Sequence, residues 1–298
     1  MDFKRLKYFH TIAIEGQITK AAKKLHIQQP PLSKSLKDLE NELGVTLFDR
    51  QSRKLVLTEA GEVLFRKVEA IFSHMDDAVT EVRDVGEGYA GQLAVGCVKT
   101  CFSYIPDKLN LFRSQFPNIS FRLKEGDSYT LAEHLLNHEL DFAIIRLPLD
   151  LEPFDYLHLP DENYVAVLPE EWNELHDASI TMQQLSEHPL MLLHRIKGVG
   201  QYEVILDKFK RRGLNPNIIL DCPDVDMILD LVRSGVGGTI IPESTYHHKN
   251  VSGINMLKIE DEEIPSKSAI IWSKDRYLTK SARRFIDMFE MDTAQIKI

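Results

Sequence analysis

At 298 residues, 43% of them hydrophobic and 27% charged, the chain suits about two globular domains, and 15 Gly, 13 Pro and 3 Cys exclude a collagenous, disordered or disulfide-scaffold protein. It has no run of 18 apolar residues to span a bilayer, and its start, Met1-Asp2-Phe3-Lys4-Arg5, lacks a signal peptide's apolar core, so a cytoplasmic protein is expected. The formal charge of −9 hides a split: residues 1–67 carry 13 Lys and Arg against 8 Asp and Glu, and the remainder 23 against 37, which suggests a basic module for nucleic acid joined to a larger acidic one.

Phe3, Leu6, Phe9, Ile12 and Ala13 recur at three- and four-residue spacing, which predicts a helix that Gly16 ends. Thr19 is the candidate N-cap of a second helix over 20–25. Gln29-Pro30-Pro31 opens a third, since proline is tolerated in a first turn whose N–H groups lack partners anyway. Its core face is expected at Leu32, Leu36, Leu39 and Leu43, with Gly44 closing it. Two short helices around a tight turn make a helix-turn-helix, whose second helix turns its first residues to base edges in the major groove. The candidate DNA-binding residues are therefore Thr19, Gln28, Gln29, Pro30, Pro31, Ser33 and Lys34. Arg50-Gln51-Ser52-Arg53-Lys54 then reads as a basic loop before a short strand, Leu55-Val56-Leu57. Standing alone it could be a solvated turn. Beside a helix-turn-helix it reads as a wing, with Arg50 and Arg53 for phosphates or the minor groove.

This region resembles the LysR-type transcriptional regulators. The resemblance runs through Leu6, Tyr8-Phe9, Ala13, Gly16, Thr19, Ala21-Ala22, Leu25-His26, Gln29-Pro30, Leu32-Ser33, Leu39-Glu40, Leu43-Gly44, Leu47-Phe48, Arg50, Leu57-Thr58 and Ala60-Gly61. Two positions depart from the family pattern: Gln28 stands where Ser or Thr is usual, and Pro31 where Ala is commonest.

Beyond Thr58, apolar residues fall at Leu64, Val68, Ile71, Met75, Ala78, Val82 and Val85, alternating steps of four and three. That 3.5-residue period predicts a coiled-coil seam on a long helix, capped by Thr58 and ended by Gly86, Gly88 and Gly91. Leu64, Val68, Ile71, Met75, Ala78 and Val82 are the candidate dimerisation residues, against the plainer alternative of a helix packed on its own domain. The resemblance implies that this helix joins a homodimer, with a homotetramer common.

From Gly91 strands and helices alternate, which argues for α/β architecture. Strands are expected at 92–97, 119–123, 140–145, 164–168, 190–193, 218–220, 238–241 and 267–272, helices near 106–115 and 130–138, and a last helix near 280–290. The resemblance continues in Gly91, Leu93, Val95-Gly96, Phe116-Pro117, Asp141-Phe142-Ala143-Ile144, Gly235-Val236-Gly237 and Ile241-Pro242, with Gly238 where an aliphatic residue is commoner. It implies two α/β lobes around a ligand cleft, like a periplasmic binding protein, with crossings near 163 and 265. Ligands of such folds sit at strand ends and helix N-termini. That rule selects Lys99, Thr100, Cys101, Ser128, Arg146, Gly198 and Tyr202 as effector-binding candidates. The resemblance places Thr100, Ser128 and Arg146 on effector-contacting positions, and Arg146 is expected to hold a carboxylate.

Other signals are weaker. Cys97 and Cys101 lie four apart with Cys222 remote, a thin basis for a redox or metal site. His134 with His138 and the pair His247-His248 lack the zinc-protease pattern, and neither a phosphate loop nor a G-x-S-x-G elbow is present. The expectation is an α+β multidomain protein. Residues 1–58 form a winged helix-turn-helix, 59–88 a linker and dimerisation helix, and 89–298 a two-lobed effector domain, with lobe I at about 91–163 and 266–298 and lobe II at about 164–265. It would be a non-enzymatic, sequence-specific regulator tuned by a small, anionic organic effector, without metal or cofactor and without a membrane. Expected partners are double-stranded DNA, the effector and further copies of the chain, with RNA polymerase a further candidate. A ligand-sequestering protein, a thiol-based redox-sensing regulator and an enzyme using the cleft are the rivals.

Overall fold

The computed structural model describes residues 1–49, 55–86, 90–172, 178–195, 197–249 and 252–295, which form two compact units, 1–79 and 80–298. The first unit holds the helices Phe3–Glu15, Ile18–Lys24 and Gln29–Leu43, then a two-stranded ribbon pairing Phe48–Asp49 with Val56–Leu57. Its core is Leu6, Phe9, Ile12, Ala21, Ala22, Leu32, Leu36, Leu39, Leu47 and Phe48. Gly16 and Gly44 end their helices in the left-handed region, as the sequence implies. Two expectations fail at element edges. Thr19 is not an N-cap: the second helix already starts at Ile18 behind Gln17, and Thr19 lies exposed within its first turn. Leu43 is 39% exposed, because the core face of the third helix runs out at Leu39.

Thr58 caps the long helix Glu59–Gly86 by accepting the Gly61 N–H at 3.0 Å. At about 1.5 Å per residue those 28 residues span about 42 Å. Gly61 is required by a close approach, since a Cβ there would sit 2.1 Å from the Leu47 carbonyl oxygen. The expected seam divides. Val68 is wholly buried, and Leu64 and Ile71 pack beside it on the core of the first unit, so this half of the stripe is spent within one chain. Met75, Ala78 and Val82 are exposed.

The second unit carries two sheets. One runs Ile119–Glu125, Gly91–Cys97, Phe142–Arg146, Ser268–Ser273, Phe154–His158; its first three strands are parallel and Ser268–Ser273 is antiparallel to both neighbours. The other runs Asn217–Cys222, Pro189–Leu193, Gly238–Pro242, Glu162–Pro169, Ile254–Ile259, Ser179–Ile180, with Pro265–Ser266 also pairing on Glu162–Pro169. The chain thus passes between lobes at 158–162 and again at 266–268. Phe142–Arg146 and Ser268–Ser273 are buried at every residue, as central strands covered on both faces must be. Strands Phe154–His158 and Ile254–Ile259 escaped the sequence reading: both carry charged or polar residues that interrupt an apolar run. Asp141 accepts the Ala94 N–H at 2.7 Å and pairs with Arg276 at 3.1 Å, which fixes the start of a central strand. Among the described residues no helix is long and apolar enough to cross a membrane.

Candidate functional site

In the first unit, the turn between the second and third helices brings Gln28, Gln29, Pro30, Pro31 and Lys34 to the surface; Thr19 is also exposed, and Ser33 is half-buried. Pro30 and Pro31 have no N–H, so the first turn of the third helix can reach a ligand only through side chains and the remaining amides. No acidic residue occupies that turn. Lys20, Lys23, Lys34 and Lys37 are exposed and have no carboxylate within 4 Å among the described residues, whereas Lys24 is paired with Glu15 at 2.6 Å. Glu40 points inward and accepts the Leu47 N–H at 2.9 Å, tying the third helix to the ribbon. The Leu55 N–H donates to the Gly16 carbonyl at 2.8 Å, which anchors the ribbon to the first turn. Arg50 and Arg53, expected at the wing tip, lie outside the described residues.

In the second unit a cavity of about 240 Å³ opens between the lobes. Lys99, Thr100, Ser128 and Arg146 line it, with Asp127 and Gln201 from the same candidate loops, and with Glu125, Tyr164, His194, Arg195 and Asp224, which the sequence reading passed over. Three expected residues do not reach it. Cys101 is fully buried in the core of lobe I, and Tyr202 packs on the core of lobe II with its ring edge-to-face with His194 at 5.7 Å. Gly198 lies in an outer loop at φ 71°, where a Cβ would land 2.2 Å from the Tyr129 ring.

Arg146 lines the cavity, but its geometry differs from that expected of an anion clamp. Its Nη1 donates to Glu162 at 2.7 Å and to the Ser266 hydroxyl at 2.9 Å; its Nη2 donates to the Thr100 carbonyl at 2.7 Å, and its Nε reaches the Thr100 hydroxyl at 3.4 Å. Four of its five N–H directions are spent, on the two strands where the chain changes lobes and on the loop after the first strand. Ser128 is likewise committed: its hydroxyl donates to the Arg146 carbonyl at 2.8 Å and accepts the Arg146 N–H at 3.2 Å.

Further contacts join the lobes beside the cavity. Lys99 of lobe I meets Asp224 at 2.7 Å and Asp226 at 2.8 Å on lobe II. Burial works against the ammonium, and the hydrogen bonds it donates to both carboxylates outweigh it, holding the Lys99 pKa above its ordinary value. The loop after strand Pro189–Leu193 also crosses to lobe I: Arg195 lies over the Tyr129 ring and donates to the carbonyls of Arg146 and Pro148, and Lys197 meets Glu133 at 2.8 Å. Arg195 lies just past the end of its strand and Arg146 is the last residue of its own, so the same strand-end rule applied to the second lobe would have found it.

Residues 3–62 match the model of the bacterial regulatory helix-turn-helix protein, lysR family, and residues 86–293 match the LysR substrate binding domain. The chain belongs to the LysR family. It is a DNA-binding transcriptional regulator with an effector-binding domain. Among LysR relatives, HTH-type transcriptional regulator BsdA of Bacillus subtilis (strain 168) is 36% identical over 290 residues, 97% of this chain and 100% of its own. AlsR of the same organism is 27% identical over 93% of this chain and 92% of its own. The solved structure of CbnR complexed with its target DNA has a TM-score of 0.76 at 23% identity, covering 98% of this chain and 99% of that one. Full-length OxyR from Pseudomonas aeruginosa has a TM-score of 0.70 at 24% identity, covering 97% and 93%. At these identities both structures speak for the LysR fold alone.

Proposed function

We propose that this LysR regulator reads operator DNA with Gln28, Gln29, Pro30, Pro31, Ser33 and Lys34 in the major groove, Thr19 beside them, and Arg50 and Arg53 from the wing. The observation that carries this is the exposed start of the third helix, free of acids and flanked by lysines that no described carboxylate neutralises. Glutamine can bond the edge of adenine in two places, and lysine supplies the salt-sensitive phosphate term. A gel-shift with the DNA upstream of its own gene is the test: specific retardation supports the reading, and binding no tighter than to random DNA sinks it.

The inter-lobe cavity is proposed as the site of a small, anionic organic effector. A ligand shifts a regulator only through its different affinity for two states, so closure of the lobes must change how the DNA-binding units are presented. Residues 1–58, 59–88 and 89–298 are proposed as the functional divisions, with the exposed residues Met75, Ala78 and Val82 joining two copies, and pairs of dimers forming tetramers. The relatives are regulators, and the cavity is read as a sensor that does no chemistry on its ligand, in the cytoplasm where the DNA lies. A thiol-based sensor is disfavoured, because burial pushes the Cys97 thiol well up and the Cys101 thiol up to about 11, away from the thiolate such chemistry needs.

A further inference from the structure

We infer that the effector is a monoanion, a single carboxylate on a compact apolar body, and that Arg195 rather than Arg146 holds it; this deepens the reading of the cavity as the effector site and rests on it.

The charges around the cavity decide the class. Three cations line it. Lys99 is neutralised twice over, by Asp224 and Asp226, and Arg146 is neutralised by Glu162. Arg195 is left. Among the described residues its guanidinium donates only to neutral carbonyls: Nη1 to Pro148 at 2.9 Å and Val199 at 2.8 Å, and Nη2 to Arg146 at 2.7 Å. Among the described residues no carboxylate oxygen lies within 4 Å of it. A half-buried cation with no carboxylate in contact is costly, and burial draws the Arg195 pKa down although Asp127 acts on it from a distance in the opposite direction. The Nε hydrogen and the second Nη2 hydrogen have no acceptor among the described residues, and a carboxylate accepts two parallel bonds from such a planar donor group.

The rest of the lining argues against a second negative charge. Asp127 caps a helix, its carboxylate accepting the N–H groups of Tyr129 and Thr130. Asp224 is held below its ordinary value by the Lys99 hydrogen bond, against the opposing effect of burial, and Glu125 adds a third acid. A second carboxylate on the ligand would face these acids, with both other cations already engaged. Val98, Leu193, Pro223 and Val225 supply apolar wall for the body of the ligand. Arg195 also straps lobe II to lobe I through the Arg146 and Pro148 carbonyls, so an anion seated on it would reinforce a contact that spans both lobes.

Calorimetric titration of the full-length protein with benzoate, its neutral amide benzamide, and the dianion isophthalate tests the inference. Benzoate should bind, benzamide at least tenfold more weakly, and isophthalate no tighter than benzoate. Losing a charged hydrogen-bond partner should make Arg195→Gln roughly tenfold to a hundredfold weaker for benzoate, with partial recovery in Arg195→Lys. The amide comparison uses the parent chain, so it stands even if Arg195→Gln fails to fold. Pro223→Trp, at an exposed lining position, should block benzoate. Benzoate blocked by Pro223→Trp but indifferent to Arg195→Gln would overturn the assignment of Arg195 and leave the cavity reading standing. Benzoate indifferent to both would overturn the cavity reading as well. Absent benzoate binding, equal binding of benzamide, or tighter binding of isophthalate would each overturn the monocarboxylate class.

Discussion

Arg146 and Glu162 meet at 2.7 Å where the chain passes between the lobes of the effector domain, with side chains 5% and 13% exposed. Glu162 is held from three further directions, by the Ser244 N–H, the Ser244 hydroxyl and the Tyr104 hydroxyl. Arg146 therefore fastens the hinge, and its removal leaves a buried carboxylate without its cation. Arg146→Ala should destabilise the effector domain by about 3–5 kcal/mol, the usual cost of breaking one side of a buried pair. Chemical denaturation followed by tryptophan fluorescence reads this through Trp172 and Trp272, both in this domain. A loss below about 1 kcal/mol, the range of surface pairs, would deny the fastening role.

On the DNA side, Gln29→Ala should lose about 1–3 kcal/mol of discrimination between operator and mismatched DNA. Lys34→Ala should weaken binding to every sequence alike and flatten the salt dependence by about one phosphate contact. Fluorescence anisotropy at several salt concentrations separates the two. Unchanged specificity and affinity in both variants would move the contact surface elsewhere.

The divided stripe of the long helix makes two opposite substitutions informative. Val68→Ala, at a fully buried position, should cost the first unit roughly 1.5–3 kcal/mol, the value of a buried valine. Val82→Asp, at a position 74% exposed, should leave that unit's stability unchanged and shift sedimentation toward monomer. A Val82→Asp protein that sediments as the parent does would place the dimer contact outside the exposed part of the stripe.

The cysteines give a direct check on redox sensing. At pH 8, iodoacetamide should label half-exposed Cys222 first, while Cys97 and Cys101 react only after unfolding, since both are buried and both thiols are pushed up. Mass spectrometry of the folded protein showing rapid labelling at Cys101 would reopen the redox reading.

The clasp between Lys99 and Asp224 should respond to acid with a definite sign. The Asp224 carboxyl is held below its ordinary value, so its stabilising contribution is complete above about pH 4 and fades as pH falls through the lower folded-state value. Asp224 also caps a helix by accepting the N–H groups of Asp226 and Met227, a task asparagine can perform, so Asp224→Asn removes the charge and keeps the cap. The stability gap between parent and Asp224→Asn should be flat from pH 7 to about 4 and narrow below. A gap that widens on acidification would show that the pair opposes the closed cleft.

The sequence by itself determined what depends on neighbours along the chain. Helix ends at Gly16 and Gly44, the start of the third helix at Gln29, the Thr58 cap and the buried strand Phe142–Arg146 all follow from backbone preference, missing N–H groups and local hydrophobic period. The motif register through residues 6–61 was legible as a pattern, but the reason for one of its positions is tertiary: Gly61 is a glycine since the Leu47 carbonyl passes 2.1 Å from where a Cβ would be. Only the tertiary structure decided how shared chemistry was divided. One apolar stripe gave Val68 to its own core and left Val82 exposed, although both obey the same period. Arg146 ends one strand and Arg195 stands two residues past another, both beside the same cavity, and the sequence favoured Arg146. The fold places Glu162, sixteen residues along the chain, against Arg146, and among the described residues gives Arg195 only carbonyls as hydrogen-bond acceptors. Which cation is neutralised depends on through-space distance, and a pattern of spacing along one chain carries no record of that.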